Sequence, residues 1–107
     1  MKISIMETTF SIEFSMKTRE GLESFATFSV GNKREKAYAI FNQLKGEPDV
    51  TEKDILFIDL IETAAGLPVN LKMISCTLNQ LTKNCRIITR ELFKLKNIEG
   101  GGSEVEI

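Results

Sequence analysis

The side chains in this chain that could do chemistry are few, and their types exclude more than they allow. None of the 107 residues is a histidine, which removes the commonest general base, metal ligand and pH switch. Ser-His-Asp, Cys-His and His-metal arrangements are therefore impossible within one chain. Cys76 and Cys85 stand nine positions apart, a spacing that suits neither a CxxC redox pair nor a zinc pair. Cys85 falls in the apolar stripe of the last helix, where a free thiol behaves as a small hydrophobe, and both cysteines are read as core.

Carboxylates remain. Glu47, Asp49, Glu52 and Asp54 lack the D-x-[DN]-x-[DN]-G spacing that calcium geometry requires and read as a solvated acidic loop. Asp59 interrupts the apolar run Ile55 to Ile61. Burying it unpaired would be costly, so it either reaches a basic partner or sits on an open face, and a structural role is expected. Gly100, Gly101 and Gly102 precede no helix, and neither G-x-G-x-x-G nor G-x-x-x-x-G-K-[ST] occurs, so no phosphate loop is present in the sequence. The reading assigns no catalytic, cofactor-binding or metal-ligating residue and expects no enzyme and no cofactor.

Two surfaces are left as candidates. Arg86, Arg90 and Lys94 are spaced four apart, with Lys83 near the start of the stripe. On a helix they share one face that could track a phosphate backbone, although the same spacing suits a solvated outer face whose cations favour a helix C-terminus. No aromatic residues interleave with them as a stacking platform would require. Lys33, Arg34 and Lys36 add charge at the start of another helix, where the dipole disfavours it. The second surface comes from the strand holding Asp59: if Leu56, Ile58 and Leu60 face helices, then Ile55, Phe57 and Ile61 point the other way, with Phe25, Ile3 and Ile5 joining them. An open apolar patch of that kind marks an interface.

The elements that would carry these surfaces follow from periodicity. Phe10, Ile12, Phe14 and Met16 share one parity while Ser11, Glu13, Ser15 and Lys17 share the other, the pattern of a half-buried strand. A second strand spans roughly Leu22 to Val30. Asn32 and Glu35 form a capping-box pair ahead of a helix with the stripe Ala37, Ile40, Phe41 and Leu44, stopped by Gly46 and Pro48. T-x-x-G-L occurs at Thr18 and again at Thr63, an offset of 45, and at that offset Asn32 falls on Thr77 and Glu35 on Gln80. The segment from Leu71 onward also carries a heptad-like series through Leu95 that would make one continuous helix. The strand reading places Leu67, Val69, Leu71 and Met73 on one face and starts the helix near Leu78, so it explains more residues. The expected fold is α+β: a tandem ββα-ββα pseudo-repeat forming a four-stranded, mainly antiparallel sheet with two helices on one face.

Composition sets the remaining bounds. Residues 1–98 are expected to form one domain, with residues 99–107 a flexible Gly-rich acidic tail. The overall charge of −1 is uneven, since residues 63–98 hold six Lys or Arg against Glu91 alone. No apolar run approaches the roughly 20 residues of a membrane span, and a signal-peptide pattern is missing from MKISIMETTF, which together lead to an expectation of cytoplasmic location. The function expected is a small non-catalytic protein-interaction or assembly domain, homo-oligomeric or bound to another protein. The alternative is a nucleic-acid or polyanion-binding module using Lys83, Arg86, Arg90 and Lys94.

Overall fold

The computed structural model describes residues 7–99. Residues 1–6, with Ile3 and Ile5 of the expected apolar face, and the tail 100–107 lie outside the described residues. The elements are β1 (Thr8–Thr18), β2 (Gly21–Ser29), α1 (Arg34–Phe41), β3 (Leu56–Ala64), β4 (Leu67–Cys76) and α2 (Leu78–Glu99). Four strands in the order β2-β1-β3-β4 make one sheet, and every neighbouring pair is antiparallel. The class is α+β, and residues 69–97 are a strand followed by a helix, not one helix.

Local chemistry explains that break. Ala65 and Gly66 both have positive φ, 55° and 80°, and form the two-residue turn whose twist suits a tight hairpin, with Ala64 paired to Leu67. At the other end of β4 the Thr77 backbone N–H donates to Gln80 Oε1 at 2.9 Å, and the Gln80 N–H donates to Thr77 Oγ1 at 3.2 Å. This reciprocal capping box starts α2 just after the strand. The equivalent box expected at Asn32 and Glu35 does not form. Lys33 occupies the cap position of α1 and makes no side-chain cap bond. Helix α1 instead begins at Arg34, whose guanidinium bonds Glu62 on β3 at 2.9 Å and lies over the rings of Phe10 and Tyr38. Tertiary contacts, not a local cap, set that start.

Phe10, Ile12 and Phe14 of β1, Ile58 and Leu60 of β3, Ala37, Ile40 and Phe41 of α1, and Ile88 of α2 belong to one buried cluster, with Val30 beside them. Leu81, Cys85, Leu92 and Leu95 continue the α2 stripe against it. The alternation read from β1 and β3 therefore places the core on the expected parity.

Two strand residues depart from simple alternation, and both sit at bulges. Phe14 pairs with Ala26 while Ser15 pairs with Ser24, leaving Phe25 as the extra residue. A bulge puts consecutive side chains on nearly the same side. Phe25 accordingly turns to the core side, its ring edge-on to Phe14 with centroids 6.1 Å apart, and does not share a face with Phe57. In β4, Leu60 pairs with Lys72 and Ile61 with Asn70, so Leu71 is extra. Leu71 packs on the core while Met73, paired with Asp59, lies on the other face. The expected single face of Leu67, Val69, Leu71 and Met73 is split there.

The two hairpins share one register. Adding 46 to both members of each β1–β2 pair reproduces a β3–β4 pair: Thr18 with Gly21 becomes Ala64 with Leu67, Phe14 with Ala26 becomes Leu60 with Lys72, and Phe25 becomes Leu71. The offset of 45 suggested by T-x-x-G-L is thus one short, because in β1 the Thr18 side pairs at Gly21 whereas Thr63 pairs with Pro68.

The connection from α1 to β3 is fastened at several points. Asn84, fully enclosed on α2, accepts from the Lys45 N–H at 2.7 Å and donates to the Lys45 carbonyl at 2.9 Å. Glu47 then bridges Ser75 of β4 through both backbone groups. Gly46 must be glycine for this approach, since a Cβ there would collide with the Ser75 carbonyl and with Ile74. Lys17 Nζ donates to the Glu52 carbonyl and the Lys17 N–H to the Ile55 carbonyl, so the connection returns to the end of the sheet where β3 begins.

Candidate functional site

The sheet parity opposite the core contains no member of the core cluster. Strand pairing orders that face into rungs. Across β2, β1, β3 and β4 they read Ser24, Ser15, Phe57, Ser75; then Thr27, Glu13, Asp59, Met73; then Ser29, Ser11, Ile61, Asn70. The apolar residues of this face are Phe57, which is buried, and Ile61 and Met73, which are partly exposed, set among small hydroxyls with two carboxylates in the middle rung. Leu22, paired with Lys17, stands exposed at the same face.

Of the four residues expected at an interface, the structure brings Phe57 and Ile61 together on this face. Ile55 precedes β3 and is exposed, while Phe25 belongs to the core side. Phe57 is only 6% exposed, because its end of the sheet also carries the α1–β3 connection held at Ser75 and Lys17. Met73 was missed by sequence reasoning, since strict alternation grouped it with Leu71 and only the bulge separates them.

Asp59 was expected either to meet a cation or to lie on an open face. It meets no cation: Oδ2 accepts from Asn70 Nδ2 at 3.3 Å, and Oδ1 is enclosed without a hydrogen-bond partner. Its carboxyl pKa is raised to about 6, first by burial and then by the charge of Glu13, against the lowering effect of the Asn70 bond.

The basic stripe is present on the exposed side of α2 but is partly compensated. Lys94 reaches Glu91 at 3.3 Å, and Arg90 reaches Glu91 at 3.4 Å and Gln43 at 3.3 Å. At Glu91 burial opposes ionisation, yet the bonds and charge of Lys94 and the bonds from Arg90 and Gln43 outweigh it and hold the carboxyl below its ordinary value. Lys83 and Arg86 are exposed on the same stripe. Cys76 and Cys85 both pack on the core, where burial pushes both thiols up, away from nucleophilic use. Among the described residues no group of three or more Cys, Asp or Glu side chains could hold a metal ion, and no helix is long and apolar enough to cross a membrane.

Comparison with protein-family models, with curated proteins and with solved structures returned no match for this chain.

Proposed function

We propose that this chain is a small non-catalytic interaction domain that self-associates through the sheet face bearing Phe57, Ile61 and Met73. The observation that carries the reading is that patch, set on the sheet parity outside the core cluster. In this reading both helices cover one face and a second copy covers the other. The molecule is 21 Å in its shortest dimension against 48 and 44 Å, the proportions of a two-layer slab. Its radius of gyration of 15.4 Å exceeds the roughly 13 Å of a compact domain of this length.

We further read the fold as a tandem ββα pseudo-repeat, supported by the shared register and shared bulge at an offset of 46. Under that offset Glu13 corresponds to Asp59, and these two are paired across β1 and β3, so a local two-fold axis runs through the middle rung. An isologous contact sets the same patch of both copies across a two-fold axis, and this face adds an approximate two-fold of its own. The polyanion reading draws less support, because Arg90 and Lys94 are already engaged by Glu91.

Sedimentation velocity over a concentration series tests the proposal with wild type, Ile61→Glu and Met73→Glu. Both residues are partly exposed and lie outside the core cluster, so the variants should remain folded yet lose self-association. Phe57→Glu would be a poor probe because it buries a charge within the monomer. A wild type that stays monomeric under all conditions would sink the proposal.

A further inference from the structure

The middle of the proposed interface is also where the structure is least satisfied. Asp59 is 7% exposed, and its Oδ1 is the one buried side-chain oxygen or nitrogen without a partner among the described residues. Glu13 stands directly across from it. Among the described residues, the rungs at and beside the pair hold no cation: β4 contributes Asn70 and Met73, and β2 contributes Thr27 and Ser29, none of them titratable, while Glu47, Asp49, Glu52 and Lys53 of the α1–β3 connection are exposed. Lys17, two rungs along β1, is tied to the Glu52 carbonyl, and Asp54 in the adjoining connection accepts from the Thr51 N–H. Oδ1 is enclosed, and a proton on the carboxyl removes the charge that burial and Glu13 oppose.

Size decides how much this matters. Four strands about 4.8 Å apart and about nine residues long at ~3.3 Å each give a face of roughly 600 Å². Ser15, Phe57, Asp59 and Ser75 are already buried in the single chain, so two copies would bury less than roughly 1,200 Å², in the range of weak, transient contacts. A contact that marginal is controlled by whatever charge lies at its centre. Face-to-face pairing sets two Asp59 and two Glu13 side chains into one desolvated region, where like charges repel strongly.

Resting on the self-association reading above, we propose that assembly through this face is gated by a proton on Asp59: copies pair when the carboxyl is neutral and separate when it ionises. The pKa of about 6 already reached in the single chain agrees with this, and covering the face removes further water and pushes it in the same direction. Asp59 is here a positioning and switching group, and the proton is its ligand.

The experiment is sedimentation velocity or light scattering of the full chain at about pH 5 and about pH 8 for wild type, Asp59→Asn and Glu13→Gln, with circular dichroism as the check on folding. Wild type should bind itself at least about tenfold more weakly at the higher pH, whereas Asp59→Asn, which cannot ionise, should change by less than about twofold. Glu13→Gln removes the neighbouring charge and should move the wild-type transition to lower pH. Equal association of wild type at both pH values, or a pH dependence that persists in Asp59→Asn, would overturn the gate while leaving the interface intact. Wild type and Asp59→Asn both monomeric at both pH values would overturn self-association itself.

Discussion

Asn84 and Asp59 are both buried polar side chains, and they differ in how far their bonding is complete. Asn84 presents a donor and an acceptor, and Lys45 supplies the matching backbone groups, so the amide pins the α1–β3 connection to α2. Replacing it with alanine leaves both Lys45 backbone groups without this partner in a partly buried place. Asn84→Ala should lower stability in urea by about 2–3 kcal/mol, and Asn84→Asp should not restore it, since a carboxylate cannot donate to the Lys45 carbonyl. Asp59 has one amide bond and one unpartnered oxygen. Its folded pKa of about 6 lies above its ordinary 3.8, so between those values the folded state holds more protons than the unfolded one. Its contribution to stability is therefore full below about pH 4, falls as pH rises toward 6, and is absent above. Relative to Asp59→Asn, wild type should lose about 2–3 kcal/mol over that range, measured as the difference between the two urea-unfolding profiles against pH. A flat difference would mean that Asp59 is better solvated than its enclosure indicates.

At the scale of elements the two helices make a natural comparison. Helix α2, 22 residues long, begins with a complete capping box, whereas α1, eight residues long, begins at Lys33 with extended backbone, φ −109° and ψ 119°, and no side-chain cap. That conformation is the one a capping side chain needs, and Lys33 places a cation where the helix dipole disfavours it. Lys33→Asp should raise stability by about 1 kcal/mol in thermal or urea unfolding, with no change in secondary-structure content. The same comparison explains why α1 is short. Its final turn tightens through the Gln43 N–H to Ile40 and the Leu44 N–H to Phe41, and Gly46 must then pass against β4. The bulges act on strands in a similar way, turning Leu71 onto the core and setting Phe25, still 45% exposed, edge-on to Phe14.

At the scale of the molecule, a two-layer slab with one face outside its core accounts for the proposed association more directly than any single residue does. The core cluster takes one parity of β1 and β3 together with the apolar stripes of α1 and α2, and under the proposal a second copy meets the partly exposed residues of the other parity, Ile61 and Met73. Association should also appear in thermal unfolding. The midpoint of wild type should rise with protein concentration near pH 5 and much less near pH 8, and Ile61→Glu should remove the dependence at both.

What the sequence determined by itself was whatever depends on residues a few positions apart. The alternation of β1, the parity that puts Ile58 and Leu60 inward and Phe57 and Ile61 outward, the Ala65-Gly66 turn and the Thr77-Gln80 cap are all of this kind. Each is a short-range matter of backbone preference or periodicity, so each was legible without a fold. The absence of histidine likewise restricted the chemistry from the composition alone. Tertiary structure decided the rest, because the rest depends on register between segments far apart in the chain. Only the pairing of β1 with β2 and of β3 with β4 shows that Phe25 and Leu71 are bulged, which sets Phe25 beside Phe14, separates Leu71 from Met73 and gives the two hairpins a common register at an offset of 46. Only the pairing of β1 with β3 sets Glu13 across from Asp59. Two unremarkable acidic residues, 46 positions apart, become a strained pair because antiparallel pairing sets side chains on adjacent strands about 5 Å apart at their Cβ atoms.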